Sequence, residues 1–249
     1  FCISQNEKSG LKKLYNYNAF KSGEKLEYNL NYGFLNTSYA SLSLKEEVLN
    51  GKTVFRASSV GRTTGLARLF FRVDDLYETF FSKETVRPLK SIRDIYEGGY
   101  ERKAETKYDY DTNTAFFYNK LKNTKKEFKI HSEIQDIIST FYYLRKHLNI
   151  SILEPNDLIN VDIFFGQEIY PFKMMFLGIE IIKTKFGLVE CLKLRPYMES
   201  GRVFRDNEGI KLWVTNDENR IPIKVKADLR VGSIAVSYTH LRAHETLLD

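Results

Sequence analysis

The sequence is poor in the side chains that carry nucleophilic, redox and metal chemistry. It holds two cysteines, one tryptophan and four histidines in 249 residues. Cys191 stands alone in the body of the chain, so it has no partner for an internal disulfide there. It sits in a strand-like run, Leu188 to Leu194, and reads as a small buried hydrophobe. His131 and His147 belong to another element, so Cys191 has no base beside it. No GxSxG, HExxH, CxxC or phosphate-loop pattern is present. Adjacent strand residues point to opposite faces, so neither Asp74-Asp75 nor Asp217-Glu218 makes a natural carboxylate dyad. Together these gaps exclude the common hydrolase templates, and the chain is expected to be non-enzymatic, with no cofactor and no metal. No apolar run approaches the roughly 18 residues that a spanning helix requires.

What the chain does have is aromatic: 16 Tyr and 18 Phe, residues that suit pleated strands. Its net charge is +6 and its pI about 9.0, but the cations are dispersed, which argues against a nucleic-acid partner. Leu26, Tyr28 and Leu30 alternate with polar residues, the period-2 signature of a strand with one buried face. Asn50-Gly51 is a strong hairpin turn. Ala104, Thr106, Tyr108 and Tyr110 share a face, and Asp111-Thr112-Asn113 turns the chain. Gly65 to Phe71 reads as a short helical turn. The lysine-rich stretch from Lys120 to Lys129 fits either a self-solvating hairpin end or contact with anionic lipid headgroups. At the other end Ile223, Val225, Ala227 and Leu229 alternate with Lys224, Lys226, Asp228 and Arg230. Pro222 starts that strand, and Asn216 to Asn219 turn into it from the strand of Trp213. Asp217, Glu218 and Arg220 are expected to form a solvated turn with a local ion pair.

The pattern predicts one long helix among the strands, over 132–149. Ser132 with Gln135 makes a capping box, and Ile134, Ile137, Ile138, Phe141, Leu144 and Leu148 form an apolar stripe. Asp136, Ser139 and Arg145 beside the stripe are expected to bond to sheet backbone or to each other. His147 is expected at the surface, near the C-terminal end of the helix dipole.

Both termini read as foreign to the fold. Cys2-Ile3-Ser4 fits the small-x-small pattern of a cleavage site, which makes 1–5 the remnant of a signal peptide; lipidation of Cys2 is the alternative. Residues 237–249 resemble translated adapter sequence, so a single β-rich domain is expected over 6–236. His240, His244 and Glu245 of that tail have the spacing of a zinc helix, but no metal site is expected from a non-native segment.

Several stretches carry a family likeness. Leu212-Trp-Val-Thr-Asn-Asp-Glu-Asn-Arg-Ile-Pro-Ile223, followed by Val231-Gly-Ser-Ile234, resembles the ending of a bacterial exported-protein family catalogued as domain of unknown function 3108. Phe20-Lys-Ser-Gly-Glu-Lys-Leu-Glu-Tyr28 resembles its opening strand. Val73-Asp-Asp-Leu-Tyr77 with Arg87-Pro-Leu89, and Asp136 to Arg145, resemble its early middle and its helix. The likeness covers about residues 20–236. It implies an exported, periplasmic or envelope-located, mostly β domain, and it carries over no catalytic residue.

Doubled apolar residues set the fold expectation. Phe70-Phe71, Phe80-Phe81, Phe116-Phe117, Phe164-Phe165 and Met174-Met175-Phe176 would place large side chains on both faces of a sheet. A strongly curved antiparallel sheet, barrel or half-barrel, with one long amphipathic helix, would hide the second face. Its interior is either a filled core or a cavity for an apolar or lipid-like ligand. Phe70, Phe81, Phe141, Phe165, Met174, Phe176 and Trp213 are the candidate lining residues. A structural module for envelope assembly or glycan, using the basic face at Lys224, Lys226 and Arg230 to bind an envelope partner, is the competing expectation. Peripheral contact with a membrane fits either.

Overall fold

The computed structural model describes residues 18–32, 35–184, 187–198, 210–228 and 233–242. The first half runs β1 (Lys25–Tyr32), β2 (Leu35–Leu49), β3 (Lys52–Thr63), α1 (Gly65–Phe70), β4 (Val73–Phe81), β5 (Pro88–Glu97), β6 (Tyr100–Asp109), β7 (Thr114–Asn119) and β8 (Thr124–Lys129). After α2 (Ile137–His147) come β9 (Leu158–Phe165), β10 (Glu168–Thr184), β11 (Gly187–Met198), β12 (Ile210–Thr215), β13 (Pro222–Asp228) and β14 (Ser233–Arg242). All fourteen strands belong to one antiparallel sheet, ordered β8-β7-β6-β5-β4-β3-β2-β1-β14-β13-β12-β11-β10-β9. Two meanders compose it. They meet where β14 lies against β1, with Lys25 opposite Arg242 and Tyr32 opposite Ile234.

Local chemistry explains the joints. Asn50 and Gly51 both take positive φ, 51° and 76°, as the mirror-image hairpin turn requires. Pro222 opens β13, where its missing N–H is tolerated. The last strand continues to Arg242, six residues past the end expected at Val236. The proposed signal remnant, the turn at 229–232 with Arg230, and His244 and Glu245 lie outside the described residues.

The barrel expectation is met in part. The sheet is antiparallel and the chain mainly β, but the ladder does not close on itself: β8 and β9 remain its two edges. What stands between them is the segment leading into α2. Gln135 N–H donates to Asp162 O (2.9 Å) and Phe164 N–H donates to Gln135 O (2.8 Å), a short parallel bridge onto β9. The lysine-rich stretch ends in β8, where Lys125, Lys126 and Lys129 are exposed, a charge pattern that discourages edge-to-edge pairing.

That bridge also corrects the helix. Gln135 has spent its backbone groups on β9, so it cannot sit in a helical turn, and Ser132 does not cap one. The helix starts after Asp136, whose carboxylate accepts from Ser139 N–H (2.7 Å), while Asp136 N–H donates to Ser139 Oγ (2.8 Å). This is a capping box one turn later than expected. Thr79 Oγ1 of β4 donates to the second carboxylate oxygen (2.9 Å). Burial pushes the Asp136 pKa up to about 6, against the hydrogen bonds that favour its charged form.

The buried side of α2 is not the apolar stripe alone. Ser139, Tyr142, Tyr143 and Lys146 share a buried face, while Ile138, Phe141 and Leu144 are half-buried and Ile137 is exposed. The helix is enclosed from more than one side: it packs on β3, β4 and β9. Tyr142 lies among Leu26, Leu44, Phe55, Phe81 and Val161, and Leu148 among Ile159, Met174, Phe176 and Leu192. His147, expected at the surface, is buried with its ring 4.8 Å from that of Tyr143. Lys146 reaches two carbonyls, Lys83 O (2.8 Å) and Glu84 O (2.7 Å).

The doubled aromatics need no second protein layer. Phe81 packs inward against Phe55 and Tyr142. Its neighbour Phe80 faces the other way under Arg56 (5.5 Å) and Lys90 (5.6 Å). Trp213 lies between Lys193 (5.6 Å) and Lys224 (5.0 Å). Long cationic side chains cover the outer aromatics with their stems and keep their charges wet.

Arg145 is the most heavily bonded group of α2. Its guanidinium donates bidentately to Glu24 (2.7 and 2.8 Å), to Ala19 O (2.6 Å) and to Asn219 O (2.8 Å). Replacing it by Arg145→Met leaves Glu24 buried without its cation, and chemical denaturation should show a loss of about 3–5 kcal/mol. Adding Glu24→Gln should return part of that loss; a single variant as stable as wild type contradicts the assignment.

Asp136 gives a pH signature. Its folded-state pKa lies above the ordinary 3.8, so the protonated carboxyl favours the fold. That contribution is full below about pH 4 and is lost as pH rises through about 6. Asp136→Asn retains a capping oxygen. It should gain up to about 3 kcal/mol relative to wild type between pH 4 and 7, at about 1.36 kcal/mol per pH unit. A wild-type-to-variant difference that stays flat across that range contradicts this.

Candidate functional site

Beside the C-terminal half of α2 the core leaves a groove. Phe141 and Leu144 of α2 face it, with Leu148 at the C-cap just beyond them. Met174 of β10, Leu192 and Leu194 of β11, and Leu212 and Val214 of β12 face it from the sheet, each at alternate strand positions. Pro222 closes the floor. Arg145 and Arg220 border it, with Arg145 directed to Glu24, Ala19 and Asn219, and with Arg220 Nη1 donating to Arg145 O (2.7 Å). The volume is about 60 Å³. That is space for several waters, but a water needs two to four polar partners, and carbon walls supply almost none. Such a void favours apolar matter and offers contact rather than chemistry.

A second, polar cavity of about 20 Å³ lies at the N-terminal end of α2, lined by Tyr77, Thr79, Ser91, Arg93, Thr106 and Asp136, among others. It has room for about one water. Arg93 is buried and its guanidinium lies 4.5 Å from the Phe165 ring centroid. Burial first, and then the charge of Arg102, lower its proton affinity. Arg102 donates to Gly166 O (3.2 Å), so both arginines fix the end of β9. Asp136 already serves Thr79 and Ser139.

The acidic neighbours Asp74 and Asp75 diverge, as expected. Asp74 is held by Arg68 (2.8 Å) and Arg72 (2.7 Å), which keep its carboxyl well below the usual range. Asp75 faces Glu97. Burial, and then Glu97, push the Asp75 pKa up to about 6. The sequence did not reveal this pair, because it depends on register: Asp75 opposes Ile95, which puts Glu97 on the adjacent diagonal of β5. At the β12–β13 turn, Asp217 accepts from Thr215 Oγ1 (2.6 Å), Asn219 N–H (3.0 Å) and Arg220 N–H (3.0 Å). Arg220 is buried instead of solvated. Among the described residues no group of three or more His, Cys, Asp or Glu side chains is placed to hold a metal ion.

Of the seven residues expected to line a ligand space, Phe141 and Met174 meet in the apolar groove, with Phe176 in the same cluster behind Met174. Phe81 is fully buried in the neighbouring cluster around Tyr142. Phe165 borders the polar cavity, and Phe70 is exposed on α1. Trp213 packs with Ile182 and Cys191 on the opposite face of β12 from Leu212 and Val214. Cys191 is fully buried, and burial first pushes its thiol up to about 11. Leu192, Leu194, Leu212 and Val214 were missed as lining residues. Their alternation was visible in the sequence, but which face met the helix was not.

No curated protein sequence matches the chain. A β-barrel-like protein of domain of unknown function 1849 from Brucella abortus superposes with a TM-score of 0.57 at 9% identity, covering 90% of this chain and 99% of that one. It shares the fold. An exported-protein candidate with a YmcC-like fold from Bacteroides fragilis gives a TM-score of 0.33 at 8% identity, covering 92% of this chain and 99% of that one. A lipoprotein candidate from Parabacteroides distasonis gives 0.34 at 11% identity, covering 92% and 100%. The family model described as "Protein of unknown function (DUF3108)" matches residues 27–239, and with that match the chain belongs to this family.

Proposed function

We propose that the chain is a non-enzymatic cell-envelope protein that binds an apolar, lipid-like molecule beside α2. The observation that carries this reading is the groove between α2 and β10–β13, whose walls are almost wholly carbon. Curvature supports it. β4 and β9 stand nine places apart in the ladder, about 43 Å along a flat sheet at ~4.8 Å per strand. Both pack on α2, which is only about 10–12 Å across with its side chains. On this reading the sheet bends toward the helix, and α2 lies against strands from both meanders. At about 60 Å³ the groove admits a short apolar segment; a longer chain would lie out along its open side.

A partner-binding reading keeps one observation of its own. Outside β6–β8, Phe116 and Tyr118 stand beside Lys107, Lys120 and Lys125 in an open concavity of about 860 Å³. Aromatic faces among exposed cations suit an acidic glycan or an envelope protein.

Native mass spectrometry of gently purified protein, with uptake of a fluorescent fatty acid, separates the two. The groove reading predicts co-purified lipid or uptake. It also predicts that Leu212→Trp, which fills the groove from β12, lowers uptake at least about tenfold, the loss expected when a methylene or two is excluded from an apolar site. No bound lipid and no uptake, or uptake unchanged in a folded Leu212→Trp variant, contradicts it. Recovery of a defined glycan or protein on the β6–β8 face would favour the partner reading.

A further inference from the structure

The β3–β4 connection is the most apolar exposed feature among the described residues. Leu66, Leu69, Phe70 and Phe71 are 71%, 80%, 88% and 55% exposed within six residues of chain. Scattered exposed hydrophobes are ordinary, but a contiguous patch of this kind marks an interaction site.

The patch is firmly built. Its base is stapled by Arg68, which donates to both Asp74 oxygens (2.8 Å each), and by Arg72, which donates to the same carboxylate (2.7 Å). Val73 N–H donates to Thr63 Oγ1 (3.0 Å) across the neck, and Thr64 N–H donates to Thr37 O (2.9 Å). Gly98 N–H donates to Arg72 O (2.8 Å). Phe71 lies so close over Gly98 that any side chain there would collide with its ring. Leu66, Leu69 and Phe70 are thus held outward by a base tied to β4 and to the β5–β6 turn, with Phe71 packed on that turn.

What surrounds the patch selects the partner. Residues 61–74 contain three arginines, Arg62, Arg68 and Arg72, against Asp74, while the neighbouring carboxylates Asp75 and Glu97 face each other on β4 and β5 beneath the tip. Arg62 stacks on Tyr39 (5.3 Å) and Arg72 on Tyr96 (4.8 Å). Tyr100, 54% exposed, stands on the adjoining β5–β6 turn. Apolar tip, tyrosine rim and arginine collar follow the order of a bilayer interface: acyl chains, then the headgroup boundary, then lipid phosphates.

The geometry points to α1 and its flanks as a membrane-docking tip. Leu66, Leu69, Phe70 and Phe71 enter the headgroup–acyl boundary of an anionic bilayer, and Arg62, Arg68 and Arg72 sit at phosphate level. This docking stands apart from the groove beside α2, and either assignment can fail alone.

Flotation of the full chain with phosphatidylglycerol/phosphatidylethanolamine vesicles, and with phosphatidylcholine vesicles as control, tests it. Wild type should float with the anionic vesicles, less so as salt is raised. Leu69→Ser/Phe70→Ser should weaken binding at least about tenfold while the thermal midpoint holds, since both side chains are exposed. In a Phe70→Trp variant, tryptophan emission should shift to the blue when anionic vesicles are added. Absence of wild-type binding overturns the proposal, and so does equal binding by wild type and the double serine variant. Self-association of wild type that the serine variant abolishes, without vesicle binding, assigns the patch to a second copy and overturns it too.

Discussion

Arg145 carries the constraint on which the rest of this structure depends. All three nitrogens of its guanidinium donate: to Glu24 and Ala19 at the start of the described chain, and to Asn219 in the β12–β13 turn. Its own carbonyl accepts from Arg220. A buried cation is expensive unless every donor finds a partner, and here the partners come from segments 74 to 126 residues away. The same side chain lies over Phe20, Phe141 and Tyr142 at 5.1 to 5.6 Å. Satisfying one guanidinium therefore requires the leading segment, the helix and the closing hairpin to be in place together. Glu24 directly precedes β1, whose pairing with β14 joins the two meanders.

The second constraint is how a single sheet hides aromatic residues on both of its faces. The inward set packs on α2. The outward set lies under arginine and lysine stems, with Phe80 beneath Arg56 and Lys90 and Trp213 between Lys193 and Lys224. This explains why the chain is at once aromatic-rich and basic, and why its positive charge is dispersed instead of gathered into one patch. Where no cation or neighbour covers the apolar surface, at Leu66, Leu69 and Phe70, the exposure calls for a different occupant.

The strands, the Asn50-Gly51 turn and the longer helix, α2, are legible in the sequence because each is written in local periodicity or turn chemistry. The capping box was misplaced by one turn because Gln135 is claimed by a tertiary bridge to Asp162 and Phe164, and nothing local announces that bridge. Doubled phenylalanines were rightly seen as a problem of two faces, but cation stacking depends on cross-strand neighbours that a single sequence does not order. The Asp75–Glu97 pair was hidden for the same reason. His147 is buried where a helix end with a wet side would expose it, because α2 packs on strands from both halves of the ladder.

The central claim is that α2 and both meanders form one cooperative unit held through Arg145. Native-state hydrogen exchange as a function of denaturant measures this directly, on the amides of α2, of β3 in the first meander and of β11 in the second. The account predicts that all three merge into a single opening reaction with the free energy of global unfolding. Exchange of α2 through a separate, lower-energy opening while both meanders stay protected, or unequal opening of the two meanders, would contradict it.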